Sequence, residues 1–89
     1  MEDKINTLAD LFREVGHAHH QAFVAVNGAD PDWPLWYADY LLDKLPAHIG
    51  QALNREQTAD LLLRLHQAHS SAAPTSDWAD YYARRLLQA

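Results

Sequence analysis

The sequence predicts an all-α domain of two tandem helical hairpins, an internal duplication that closes a four-helix, bundle-like core with a short extra helical turn between the halves. Three observations predict it. Apolar residues recur at steps of three and four along most of the chain. Period-two alternation with β-branched residues persists nowhere, so strands are not expected. The chain also aligns with itself, the signature of a repeat. At 89 residues only one core is expected, burying roughly 60 to 65% of the unfolded surface. Residues 1–89 therefore read as a single domain with repeat units 7–45 and 57–89.

Leu8, Leu11, Phe12, Val15, Ala22 and Val26 share one helical face, which predicts a first helix from about Asp3 to Asn27, ended by Gly28 in a left-handed turn. A connector from Gly28 to Pro31 precedes Asp32, a good N-cap. Pro34 then falls in the first turn of a second helix, where its missing N–H costs nothing, and that helix is expected to reach about Leu45. Pro46 to Leu53 reads as one or two loose helical turns around Gly50. Asn54 with Gln57 makes a capping-box start for a helix from Arg55 to about Ser70. The stretch from Ser70 to Ser76 is the clearest linker, after which Ser76 or Asp77 caps a last helix through Leu87.

The self-alignment is specific. At an offset of 50, Ala9, Asp10, Leu11, Ala18, His19 and Ala22 meet Ala59, Asp60, Leu61, Ala68, His69 and Ala72. At an offset of 45, Asp32, Trp33, Tyr37, Ala38, Leu41 and Leu42 meet Asp77, Trp78, Tyr82, Ala83, Leu86 and Leu87. The offset changes inside a connector, 8 residues long from Val24 to Pro31 and 3 from Pro74 to Ser76, so both helical stripes survive. One hairpin cannot hide its apolar stripe alone, whereas two related by a pseudo-two-fold axis can.

Composition narrows the partners. Twelve acidic residues against 7 basic give a net charge of -5, the wrong sign for a phosphate backbone or an anionic membrane surface. Without cysteine there is no disulfide, zinc-thiolate site or thiol nucleophile, which fits a reducing cytosol. The start, Met1 to Lys4, is acidic where a secretory signal would be basic, and no run of eighteen apolar residues occurs, so a cytoplasmic protein without a membrane span is expected.

His19 falls about 20° from Leu8 on the helical wheel, in the middle of the apolar stripe, and His69 takes the same angle in the second unit. Each buried imidazole needs a hydrogen-bond partner. Asp32 and Asp77, Trp33 and Trp78, and Tyr37 and Tyr82 open the second helix of each unit and are the nearest candidates. The plain reading makes each His a clasp between the two helices of its hairpin. The sharper reading makes His19, His69, Asp32, Asp77, Trp33 and Trp78 a ligand site at the centre of the bundle. A resident metal or cofactor is not expected, because Glu14 and Glu56 are not placed to supply inward carboxylates and the His-Glu-x-x-His pattern is absent. His17, His20 and His66 read as surface residues.

Trp33, Trp36, Tyr37, Tyr40, Trp78, Tyr81 and Tyr82 concentrate in the second helix of each hairpin. Trp33 and Trp78 are expected in the core, and Trp36, Tyr40 and Tyr81 at a rim or a homodimer interface, where Trp and Tyr are common anchors. Arg84 and Arg85 suit a helix C-terminus. There is no Gly-rich phosphate loop and no nucleophile elbow, so catalysis has little support.

The segment from Ala18 to Phe23 followed by Asp30 to Leu41 (A-H-H-Q-A-F, then D-P-D-W-P-L-W-Y-A-D-Y-L) resembles a set of small bacterial helical proteins carrying A-H and D-W-P-x-W-Y-A-x-Y-L motifs. The likeness covers roughly residues 8–45 and implies a bacterial origin and a helical fold. That group carries no assigned activity, so no mechanism is transferred. The second unit departs from the motif with Ala79 for Pro34 and Tyr81 for Trp36, which points to the first unit for any ligand-specific role. The expectation is a non-catalytic binding or interaction protein that associates with itself or another protein. The alternative is a metal- or small-ligand-binding accessory to a separately encoded enzyme.

Overall fold

A computed structural model describes residues 2–72 and 75–88, and these form five α-helices and one 3₁₀ turn with no strand. Helix α1 (Glu2–Ala22) turns Ile5, Leu8, Ala9, Leu11, Phe12, Val15 and His19 inward, the stripe its apolar spacing predicts. It ends five residues short of the expected Asn27, and Ala22 and Val26 are exposed. Two causes act together. Phe23, Val24 and Val26 lower helix propensity through restricted χ1 freedom, and the chain must turn back for Asp30 to reach His19. The turn is a 3₁₀ segment, Val24–Val26, closed by left-handed Asn27 (φ 58°) and Gly28 (φ 81°). Gly28 thus has its expected backbone but terminates this turn rather than α1.

Helix α2 (Trp33–Leu41) starts with Pro34 in its first turn and stops four residues before the expected Leu45. In a continuous helix the ring of Pro46 would collide with the carbonyl of Leu42, so the helix breaks there. It resumes as α3 (Leu45–Ile49), in which Pro46 occupies the first turn and Gly50 (φ 69°) closes the end by donating its N–H to the Pro46 carbonyl at 2.9 Å. Helix α4 (Arg55–Ala72) opens with a reciprocal capping box: Asn54 N–H donates to Gln57 Oε1 at 3.0 Å and Gln57 N–H to Asn54 Oδ1 at 2.7 Å. It absorbs Ser70, Ser71 and Ala72 from the expected linker. Ala73 and Pro74 of that linker, and Ala89 at the end of the second repeat unit, lie outside the described residues. Helix α5 (Trp78–Gln88) is capped by Asp77, whose Oδ1 accepts the Ala79 N–H at 3.3 Å.

The most extensive helix contacts are α1 with α5 and α2 with α4, with α1 against α2 and α4 against α5 closing the layer. Phe12, Ile5, Leu8, Leu41, Leu45 and Leu62 lose essentially all solvent contact, each contributing roughly 1.5 to 3 kcal/mol. Around this core Arg13 joins α1 to Asp77 at the head of α5, and Arg84 pairs with Glu2 and Asp80; all three pairs are open to solvent and add little stability. Among the described residues no helix is long and apolar enough to cross a membrane.

Candidate functional site

The connector between α1 and α2, together with residues of α1, α2, α4 and α5, encloses a cavity of about 410 Å³, lined by His19, Gly28, Asp30, Trp33, Tyr37, His66, His69, Trp78 and Tyr82. Helices α1 and α4 deliver the histidines from their C-terminal halves. Helices α2 and α5 deliver one Trp at the first residue and one Tyr a turn later.

His19 is 6% exposed, and its Nε2 lies 3.0 Å from Asp30 Oδ2. Asp30 is held in turn: its Oδ1 accepts the backbone N–H of Asp32 at 3.0 Å, the local bond by which an Asp stabilises a turn. The imidazole is walled by Phe23 at 4.8 Å, Trp36 at 5.2 Å and Tyr37 at 5.3 Å between ring centres. His69 Nε2 is 2.8 Å from the carbonyl of Ser76. A carbonyl only accepts, so this nitrogen carries the proton. His19 and His69 each therefore reach the segment that precedes the next helix.

Four rings join these groups into one wall. Trp33 meets Tyr37 at 5.2 Å and 76°, Trp78 meets Tyr82 at 5.2 Å and 74°, and Tyr37 meets Trp78 at 6.5 Å and 58°. His66 lies edge-on to Trp33 at 5.3 Å. Helix α1 can approach Trp78 because position 16 is glycine: a Cβ there would stand 3.0 Å from Trp78 Cζ2. Burial raises the pKa of Tyr37, and pushes that of Tyr82 up to about 12 with a further contribution from Tyr37, so both remain neutral phenols across the physiological range.

Of the residues picked out in the sequence, His19, His69, Trp33 and Trp78 share this cavity, while Asp32 and Asp77 do not line it. The carboxylate at His19 is that of Asp30, not Asp32. Asp32 is exposed at the start of α2, and its side chain makes no capping bond. Asp77 is taken by Arg13, whose guanidinium holds the carboxyl below its usual range. Reading the sequence missed Asp30, His66 and Gly28 as wall residues. Asp30 and Asp32 flank Pro31, and only the path of the connector decides which faces inward. Among the described residues no three His, Asp or Glu side chains are grouped to hold a metal ion.

The three residues proposed for an interface are each half-buried and in contact within the chain. Trp36 stacks on Tyr40 at 5.9 Å and 15°, and the Tyr40 hydroxyl donates to Glu14 at 2.6 Å. Tyr81 meets His69 edge-on at 5.2 Å, with the Arg85 guanidinium 5.7 Å from its ring centre. No protein-family model, curated protein or solved structure matches the chain.

Proposed function

We propose that the protein is a non-catalytic binding module that takes a small organic molecule into the cavity between its two helical hairpins. The observation that carries this reading is the convergence of one His, one Trp and one Tyr from each half of the chain on a single space of about 410 Å³. That volume lies in the ordinary range for small-molecule sites, roughly 300 to 1,000 Å³, and the lining has their usual character of aromatic walls with a few polar groups. Catalysis is not part of the reading, because the Nε2 of both inward histidines is committed to an acceptor of the protein itself.

The duplication fits this arrangement. Equivalent positions in α1 and α4 share their burial, as in Leu8 and Thr58, Ala9 and Ala59, Phe12 and Leu62, and Val15 and Leu65. The contact of α1 with α5 is mirrored by that of α4 with α2, as a pseudo-two-fold axis requires.

The reading is tested by a ligand-observed NMR screen of a small-fragment library against the wild-type protein and His66→Trp, which fills the rim from an exposed position without touching the core. Fragments that bind the wild type and are released by the folded plugged variant are expected. A library without binders, or binders indifferent to the plug, would overturn the assignment.

A further inference from the structure

Resting on the ligand-binding reading of this cavity, we infer that its occupant is an organic cation of the methylated-ammonium class, held against aromatic faces rather than by a salt bridge. Asp30 is the one carboxylate among the lining residues, and neither Lys nor Arg is present, within a protein of net charge -5. Besides three imidazoles, a phosphate or carboxylate ligand would meet no Lys or Arg there, whereas a cation meets the Asp30 carboxylate in a protein whose net charge is negative. Metal cations are poorly served, since they require several converging anionic or imidazole donors, and no group of three occurs among the described residues. A tetraalkylammonium ion needs no such donors: its charge is spread over methyl groups, and it is recognised by electron-rich ring faces.

The rings have a suitable arrangement. Trp33 with Tyr37 and Trp78 with Tyr82 meet at 76° and 74°, and the two pairs are joined by the Tyr37 to Trp78 contact at 58°. Rings at steep mutual angles turn their faces in different directions, and all four line the cavity. The phenol oxygens add partial negative charge. Neither the Tyr37 nor the Tyr82 hydroxyl makes a hydrogen bond within the protein, and no buried side-chain oxygen or nitrogen among the described residues lacks a partner, so both hydroxyls keep access to solvent. His19 and His69 direct Nε2 toward Asp30 and the Ser76 carbonyl, which turns those N–H groups away from the role of anion donors.

Isothermal titration calorimetry at fixed ionic strength and neutral pH tests the inference with three probes: choline chloride, its neutral isostere 3,3-dimethylbutan-1-ol, and sodium acetate. Choline is expected to bind about tenfold more tightly than the neutral alcohol, and acetate not at all. Asp30→Asn keeps the shape of the His19 partner and removes its charge; it should weaken choline several-fold and leave the alcohol unchanged. Trp33→Leu, at a partly buried position of the wall, should weaken choline more than the alcohol. Equal affinity for choline and the alcohol, both released by His66→Trp, would overturn the cation assignment while the cavity remains a ligand site. Preference for acetate, or no binding of choline, also overturns it. In the latter case the fragment screen decides separately whether the cavity binds anything.

Discussion

Nε2 of His19 lies 3.0 Å from Oδ2 of Asp30, with more than nine-tenths of each side chain withdrawn from solvent, and this pair ties the end of α1 to the connector that starts α2. Its counterpart, His69 with the Ser76 carbonyl, has the same plan but a neutral acceptor and a more exposed setting. The two should differ in energetic weight. Removing His19 strands a buried carboxylate, so His19→Ala is expected to cost about 3 kcal/mol, whereas His69→Ala should cost about 1 kcal/mol. Urea denaturation of the two variants, with His19→Ala/Asp30→Ala to close a double-mutant cycle, measures this. Equal losses in the two single variants, or additivity in the cycle, would remove the buried pair as a clasp.

Gly16 permits the contact between α1 and α5 at the cavity wall. A Cβ at this position would approach Trp78 Cζ2 to 3.0 Å and the Tyr37 hydroxyl to 3.5 Å, and Trp78 is held on its other sides by Phe12 and Tyr82. On an exposed helix Gly→Ala would stabilise by about 1 kcal/mol. Here the ring has little room to give, so Gly16→Ala is expected to be net destabilising by about 1 kcal/mol, with a shift in tryptophan emission. A gain in melting temperature would show that Trp78 moves freely.

How much of this was legible follows the range of the forces involved. The capping box at Asn54 and Gln57 is a three-residue affair and can be read directly, as can the inward angle of His19 among Leu8, Phe12 and Val15. The break after Leu41 was also present in the sequence, because Pro46 reaches back four residues to Leu42. The end of α1 was not, since Ala22 and Val26 continue the apolar spacing and only the tertiary pull of Asp30 on His19 stops the helix. The same contact explains why Asp32, the expected His partner at the start of α2, faces solvent. His66 looked like a surface residue and is one by exposure; its role as a rim group depends on Trp33, contributed by a distant helix.

Trp36 gives a way to separate packing from association. Its indole stacks on Tyr40 and abuts His19 and Phe23, so truncation removes contacts inside the chain. Trp36→Ala is expected to lower stability by about 2 kcal/mol, less than the 3 to 5 kcal/mol typical of a fully buried aromatic because the residue is half-buried. Its sedimentation coefficient should match that of the wild type at equal concentration. A dimer in the wild type that dissociates in the variant would instead assign this residue to an interface between copies.

Alkaline pH should act on the fold through Tyr82. Its phenol is pushed from 10.0 up to about 12, chiefly by burial and secondly by Tyr37, whose own phenol burial also raises. Between these two values the unfolded chain has given up the Tyr82 proton while the folded chain keeps it, so folding stability is complete below pH 10 and falls as pH climbs toward 12. Two pH units correspond to a loss of up to about 3 kcal/mol from this residue. Tyr82→Phe has no proton to lose. Its unfolding free energy in urea, compared between pH 8 and pH 11, should therefore decline less than that of the wild type, and the phenolate absorbance of the folded wild type should show delayed ionisation. An identical alkaline decline in both proteins would mean that burial does not hold the proton on Tyr82 in the fold.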